Sequence, residues 1–339
     1  MCEVAGSELG RVSAKGSPRE IGRTLGAAGQ DAVRAVLLHA DYWHAVTDPA
    51  HADTVRIMAD NLARRFPAIW EELQGLAEGL EIPLRHVVAW NCRGDLMSNV
   101  PDGCTTVQIP GPTPVIGHNE DGLPGFRGHA FLVCITPDDG PSFTSFCYPG
   151  SLPGHTFGLN EAGLVQTVNN LRLDGVTPEL PRIALGRAVL ASRTLDDALD
   201  LLARHNASGG FHVTLAQSGD ARLMSVEFGG GACSARHIES PSIHANHALH
   251  LGIAKTDQTV TESSRDRQLR GSNLLSNGIV DPLTILRDTS GLGLPIHRTR
   301  VDDPDNENTL ATAVFRIGPS AVKWSVYDQI SDGPVLEDR

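Results

Sequence analysis

The spacing of apolar residues changes its period abruptly near residue 100, and that break constrains the fold more than any other feature. Before it the chain reads as helices. Ser17-Pro18-Arg19-Glu20 has the form of a capping box with proline at the first helical position. Ile21, Leu25, Ala28, Ala32 and Val36 follow at helical spacing, and further helices are expected over 54–65, 68–79 and 84–96. After Val100-Pro101-Asp102-Gly103 short alternating runs take over. Thr105, Val107 and Ile109 alternate with Cys104, Thr106 and Gln108, so the two sets face opposite sides of a strand. Pro110-Gly111-Pro112-Thr113-Pro114 is a turn, and 115–118 resumes a strand. A hairpin centred near Pro112 brings Glu120 back beside Cys104 and is expected to put Asn119 and Asp121 within reach of the thiol.

Strands are expected next over 130–136, 142–147 and 163–168. A helical pair follows, with Thr194 and Asp197 as a second capping box and Leu195, Ala198, Leu199 and Leu202 as its apolar stripe. Strands return over 211–217, 223–228 and 242–246, helices over 262–275 and 282–287, and strands over 309–317 and 321–327. Gly229-Gly230-Gly231 reads as a turn. This order predicts a layered α+β domain. With 339 residues the chain can bury a sizeable core. A net charge of −12 without an offsetting basic patch argues against a nucleic-acid or anionic-membrane partner. No run is long enough to span a membrane, and Met1-Cys2-Glu3-Val4 lacks the regions of a signal peptide, so cytoplasmic residence is expected.

The cysteines are Cys2, Cys92, Cys104, Cys134, Cys147 and Cys233, scattered and without a C-x-x-C pair. That pattern is neither a disulfide framework nor a zinc ribbon, and most of these thiols are expected as small buried apolar groups. Cys104 differs in context, standing at the start of a strand directly after a glycine. A thiol attacks as thiolate, and an unperturbed cysteine, with a pKa of about 8.5, needs a proton acceptor. If the thiol cuts the peptide bond before it, Cys104 becomes an N-terminus. Its α-amine, with a pKa of roughly 7.7–8.0, then suits the task. Gly103 has no side chain to block approach to its carbonyl. On these residues alone, a plain Asp102-Gly103 turn followed by a buried strand cysteine stands as the alternative.

Three runs carry a resemblance: Gly103-Cys104-Thr105-Thr106, Gly117-His118-Asn119-Glu120-Asp121, and Gly158-Leu159-Asn160-Glu161-Ala162-Gly163-Leu164. Gly16-Ser17-Pro18-Arg19-Glu20-Ile21-Gly22 and Glu72-Leu73-Gln74-Gly75-Leu76-Ala77 extend it upstream. Asn246-His247, Ser264-Arg265 and the strand over 309–315 extend it downstream. In this order they resemble the acyl-coenzyme A:6-aminopenicillanic acid acyltransferase (isopenicillin N acyltransferase) family of N-terminal-nucleophile hydrolases. The resemblance implies an αββα four-layer sandwich, with two antiparallel sheets between helical layers. It also implies a precursor that cuts itself at Gly103–Cys104. Residues 1–103 would stay bound as a small subunit and form one domain with the large subunit, 104–339. The implied chemistry is hydrolysis of a linear N-acyl amide, or acyl transfer, through a thioester.

Carried over residue by residue, Cys104 is the nucleophile and Asp121 orients it and its amine. Asn246 contributes to an oxyanion hole, a donor worth ~2.7–4 kcal/mol at the transition state. Asn169 or Asn170 supplies a second polar contact, and Arg265 places positive charge near the thiol. His118 and Asn119 share the Asp121 run and belong with the pocket. Glu120 stands where the penicillin-processing enzyme carries an aromatic residue, which with the acidic balance favours an acyl amide bearing an amine. The implied partners are a small-molecule amide, an acceptor amine or acyl-CoA, and the two cleaved fragments for each other. No cofactor or metal is implied.

Three other readings compete. A metal-dependent hydrolase would use His237, His244, His247 and His250. The three-residue spacing of the last three suits neither one strand face nor a helical pair, Pro241 and Asn246 argue against a helix, and no H-E-x-x-H is present. Cys2, exposed by loss of Met1, would be a rival nucleophile, but no N-x-D run follows it at the right distance. An inactive scaffold is disfavoured by the joint presence of Cys104, Asp121 and Asn246.

Overall fold

The change of period becomes a change of layer. The computed structural model describes residues 9–97, 103–253, 257–300, 302–329, 331 and 333–337, so Cys2 and the Pro101-Asp102 turn lie outside it. A strand the sequence reading lacked, β1 (Gly10–Gly16), leads into helix α1 (Pro18–Ala35). The capping box is complete: Ser17 caps the Glu20 amide, and the Glu20 carboxylate accepts from the Ser17 amide at 2.9 Å. Helices α2 (Asp41–Val46), α3 (Ala52–Arg65) and α4 (Pro67–Leu80) follow. The helix expected over 84–96 breaks at Cys92 into α5 (Leu84–Asn91) and α6 (Arg93–Leu96).

The buried face of α1 includes Ile21, Gly22, Leu25, Gly26, Gly29, Ala32 and Val33, whereas Ala28 is exposed. The glycines set that face. A Cβ on Gly22 would overlap the Glu72 carbonyl oxygen, and one on Gly75 would overlap that of Arg19. Helices α1 and α4 therefore meet backbone to backbone, an approach that larger residues forbid.

The strands after residue 102 are β2 (Gly103–Ile109), β3 (Val115–Gly122), β4 (Phe131–Pro137), β5 (Phe143–Cys147), β6 (Phe157–Asn160) and β7 (Leu164–Leu171). Helices α7 (Arg182–Leu190) and α8 (Leu195–Arg204) come next, the latter capped by Thr194 as expected. Strands β8 (Gly210–Gln217), β9 (Leu223–Gly229), β10 (Ala232–His237) and β11 (Ser242–His244) precede helices α9 (Glu262–Ser276) and α10 (Pro282–Leu286). The chain closes with β12 (Asn308–Ile317), β13 (Val322–Tyr327) and β14 (Leu336–Glu337). Strands β6, β10 and β14 are additions to the sequence reading.

Two sheets form, ordered β1-β4-β5-β6-β7-β8-β9-β10 and β11-β2-β3-β12-β13-β14. Pairing is antiparallel throughout except between β1 and β4, which run parallel. Helices α1, α7 and α8 lie on the first sheet, and α9 and α10 lie on the second. The sheets face each other, with Phe157 and Phe315 in edge contact at 6.1 Å and the Gln108 side chain donating to Thr214 Oγ1 at 2.7 Å. The fold is therefore the expected αββα sandwich. A small second core of Val107, Ile243, Leu274, Ile285, Leu286 and Ile296 fills the space between the second sheet and its helices. Among the described residues no helix is long and apolar enough to cross a membrane.

Candidate active site

The expected hairpin forms, with Ile109 opposite Val115 and Cys104 opposite Glu120. Strand alternation then sorts the site into two faces. Cys104, Thr106, His118 and Glu120 point between the sheets, and all four are buried. The Cys104 thiol lies 3.6 Å from Glu120 Oε2, which is also 3.1 Å from His118 Nε2. Tyr148 donates its hydroxyl to Glu120 Oε1 at 2.7 Å. On the far side of the imidazole, His118 Nδ1 lies 2.8 Å from Thr106 Oγ1, whose hydroxyl donates to Asn169 Oδ1 at 2.7 Å. Burial pushes His118 down to about 3, so the ring is neutral. The cavity at the thiol is small, about 10 Å³, and Arg93, His155, Asn170, Arg182 and Phe211 share in lining it. Arg93 stacks on Trp90 and Arg182 on Phe211, with the guanidinium carbons 4.6 and 4.7 Å from the ring centres.

Asn119 and Asp121 leave the opposite face of the hairpin, so the expectation that they reach the thiol is corrected. They are one residue out of phase with Glu120. Asn119 donates to Leu286 O at 2.8 Å and accepts from Thr312 Oγ1 at 2.7 Å, which ties β3 to α10 and β12. Asp121 stands opposite Gly103 and accepts from Thr309 Oγ1 at 2.6 Å. A register shift between Thr309 and Ala311 aims that hydroxyl: in regular pairing Leu310 would stand opposite Asp121 and Thr309 would face the other side of β12. Burial raises the Asp121 pKa, opposed by Arg267 and the Thr309 hydrogen bond.

The main chain of Cys104 is held from this outer side. Its amide donates to Asn246 Oδ1 at 2.9 Å, and its carbonyl accepts from Arg267 Nη1. Arg267 also donates to Thr105 Oγ1 at 2.9 Å and to Asn246 Oδ1 at 2.7 Å. Asn246 in turn donates from Nδ2 to Asn170 O at 3.2 Å and from its amide to Ser264 Oγ at 2.8 Å. Glu307 lies beside Gly103, where a Cβ would stand 2.5 Å from its Oε2. Burial pushes Glu307 up to about 7, opposed by Arg172, Arg298 and Arg267. Arg298 donates to Glu307 at 2.9 Å and also engages Asp303, Asp305 and Ser263.

Arg265, which the resemblance placed near the thiol, is exposed, and the arginine buried against Cys104 is Arg267, two residues on. The inward face of α9 is Ser263, Ser264, Arg267, Gly271 and Leu274, almost without apolar side chains, so hydrophobic periodicity carried no signal for its phase. Tyr148, Thr309, Arg298 and Glu307 were missed for a related reason: each comes from a segment distant in sequence. Asn169 and Asn170 are now distinct. Asn169 bridges the sheets through Thr106, His212 and His244 O, while Asn170 lines the thiol cavity.

The histidine cluster does not form a metal centre among the described residues. His244 and His250 turn to opposite oxygens of Glu227, with His250 also bonded to Ser225 and Ser234. His247 contacts Ser264 Oγ, and His237 is exposed on β10. The described group whose ligand atoms come together is Cys104, His118 and Glu120, all within 4.8 Å of one another.

The family model described as acyl-coenzyme A:6-aminopenicillanic acid acyl-transferase matches residues 110–329. The chain is 30% identical over 158 residues to the beta-alanyl-dopamine/carcinine hydrolase of Drosophila melanogaster, a match spanning 40% of this chain and 41% of that protein. It is 23% identical over 320 residues to the 40 kDa form of acyl-coenzyme A:6-aminopenicillanic-acid-acyltransferase of Emericella nidulans, spanning 90% and 88% of the two chains. Among solved structures it is similar to a variant of the conjugated bile acid hydrolase of Clostridium perfringens, with a TM-score of 0.45 and 11% identity, over 69% of this chain and 91% of that one. Penicillin V acylase of Agrobacterium tumefaciens gives a TM-score of 0.41 and 16% identity, over 67% and 83%. The chain belongs to the acyl-coenzyme A:6-aminopenicillanic acid acyl-transferase family, and so to the enzymes that hydrolyse amides or transfer acyl groups.

Proposed function

We propose that the chain cuts itself between Gly103 and Cys104, and that the freed Cys104 then attacks the carbonyl of a linear N-acyl amide. The attack gives a thioester, resolved by water or by an acceptor amine. The observation that carries this reading is the unequal holding of Cys104. Its amide and carbonyl are fixed by Asn246 and Arg267, while its thiol projects into the cavity. Such positioning of a nucleophile removes much of the entropic cost of attack. After the cut, the nitrogen that now faces Asn246 Oδ1 becomes an α-amine, close to the thiol and suited to act as base and later as acid.

Residues 1–103 remain as a small subunit, because their contacts with 104–339 are those of a core. Strand β1 pairs with β4 along its whole length. Glu72 on α4 forms a buried ion pair with Arg187 on α7 at 2.9 Å, and Arg93 lines the thiol cavity itself. Hydrolysis stands ahead of transfer, since water resolves a thioester without a second shaped pocket. The name of the Drosophila relative, a hydrolase of beta-alanyl-dopamine and carcinine, supports small amides as the substrate class. An amine on the substrate is less supported by Glu120, whose carboxylate is already engaged by Tyr148, His118 and the thiol.

Intact-mass analysis of the purified chain tests the proposal. The wild type is expected as two masses, 1–103 and 104–339, and Cys104→Ala as one. A panel of N-acyl amides should then leave an acyl adduct on the larger piece. A wild-type chain that stays whole under all conditions would overturn the reading.

A further inference from the structure

The first bond this chain breaks is cut before its assigned base exists. In the uncut chain the nitrogen of Cys104 is an amide that donates its hydrogen to Asn246 Oδ1, so it has no basic lone pair to offer the thiol. A separate acceptor has to serve self-cleavage. We propose that Glu120, backed by His118, takes the thiol proton during self-cleavage and returns it to the departing nitrogen. This deepens the self-cleavage reading above and rests on it.

The geometry selects Glu120 over its neighbours. Its Oε2 lies 3.6 Å from Cys104 Sγ across one rung of the hairpin, and Tyr148 fixes the other oxygen at 2.7 Å. Asp121, the other nearby carboxylate, leaves the opposite face of β3 beside Gly103. His155, Arg93 and Arg182 also face the cavity, and the two guanidiniums favour the thiolate without accepting its proton.

The proton inventory around His118 follows from its partners. Asn169 Nδ2 donates to His244 O, so Asn169 Oδ1 is the acceptor facing Thr106. Thr106 has one hydroxyl hydrogen and gives it to that oxygen at 2.7 Å. The 2.8 Å contact between Thr106 Oγ1 and His118 Nδ1 therefore requires the hydrogen on Nδ1. A neutral ring then turns a bare Nε2 toward Glu120 Oε2 at 3.1 Å. Two lone pairs do not sit at that distance without a proton between them, so the pair shares one at rest and has a site for a second.

The step balances. The Sγ proton passes to Glu120 Oε2 as the shared proton moves onto His118 Nε2. Sγ bonds to the Gly103 carbonyl carbon, and the C–N bond to Cys104 breaks. The leaving nitrogen recovers one proton, and a Gly103 thioester with a free α-amine results. Water hydrolyses that thioester to the Gly103 carboxylate and the thiol. From then on the α-amine serves as base, so Glu120 matters more for maturation than for turnover.

The test follows maturation of freshly synthesised full-length chain against time and pH, with a melt to check folding. Glu120→Gln keeps the shape and the Tyr148 contact. It should slow self-cleavage at least 100-fold at neutral pH, with a residual rate that climbs nearly tenfold per pH unit as free thiolate accumulates. Wild type should show no such climb. If Glu120→Gln does not fold, Glu120→Asp decides: its shorter arm should slow cleavage at least tenfold and keep the wild-type pH profile. Wild-type rates in the folded Gln variant, or in Asp where Gln does not fold, would overturn the role of Glu120 while leaving self-cleavage standing. A wild-type chain that never cuts would instead overturn the reading beneath it.

Discussion

The two faces of the β2–β3 hairpin are built from alternate residues of the same strands, yet they solve different problems. The face toward the first sheet carries Cys104, Thr106, His118 and Glu120, joined by hydrogen bonds in which protons can change owners. The face toward the helices carries Thr105, Asn119 and Asp121 against Arg267, Arg298 and Glu307. There the ionisable groups are buried, and Arg267 and Arg298 offset the carboxyls of Asp121 and Glu307. The proposed reaction needs the first face to pass protons and the second to hold the Cys104 main chain still. A pleated strand keeps the two apart by about one side-chain reversal.

The largest expected break of this division is Arg267→Met. It strips the mount from Cys104 O and Asn246 and leaves Asp121 and Glu307 short of a counter-charge. Removing one member of such a buried network costs about 3–5 kcal/mol. A denaturant melt should register that loss, and an unchanged midpoint would mean that the outer face is not structural. Lysine should not rescue, since it cannot bond the carbonyl, the hydroxyl and the amide oxygen in one plane.

Gly103→Ala comes next. Its Cβ would stand 2.5 Å from Glu307 Oε2 and 3.3 Å from Asp121 Cβ, and Glu307 is itself held by Arg298. Overpacking of this kind costs about 1–3 kcal/mol, and the displaced carbonyl should slow the appearance of the two fragments. Fragments appearing at the wild-type rate would show that this glycine is not spatially required.

Glu307→Gln sharpens the comparison through pH. The folded carboxyl sits at about 7 against an ordinary 4.5. As pH rises from 4.5 to 7, the unfolded chain releases this proton while the folded one retains it. The contribution to stability is therefore complete below 4.5 and is lost through 7. The glutamine variant should show a shallower decline in melting temperature across that window, and an identical decline would assign the slope elsewhere. The smallest effect belongs to Arg265→Ala. This residue is exposed two positions from Arg267, and its removal should change stability by no more than about 0.5 kcal/mol and leave activity unchanged.

Local chemistry was legible wherever the partners are close in sequence. Ser17 and Glu20 announced the start of α1 because a capping box closes within three residues. The turn around Pro112 set the Cys104–Glu120 register, because a short hairpin leaves little freedom in pairing. The faces of α1 and α9 were harder. On α1 the packing partner is α4's backbone, so glycines mark the contact and an apolar count misplaces it onto Ala28. On α9 the buried side is polar, and Leu269 faces solvent.

The sequence by itself determined the layer order, the hairpin that returns Glu120 to Cys104, and the family motifs around a cysteine preceded by glycine. Tertiary structure alone decided which side of the hairpin each neighbour serves. The bulge at Leu310 aims Thr309 at Asp121, the phase of α9 brings in Arg267 instead of Arg265, and Tyr148 reaches Glu120 from just beyond the end of β5. The reason is physical. Spacing fixes what a few neighbouring residues do together, but a buried charge or shared proton is set by groups that meet only after the sheets and helices have packed.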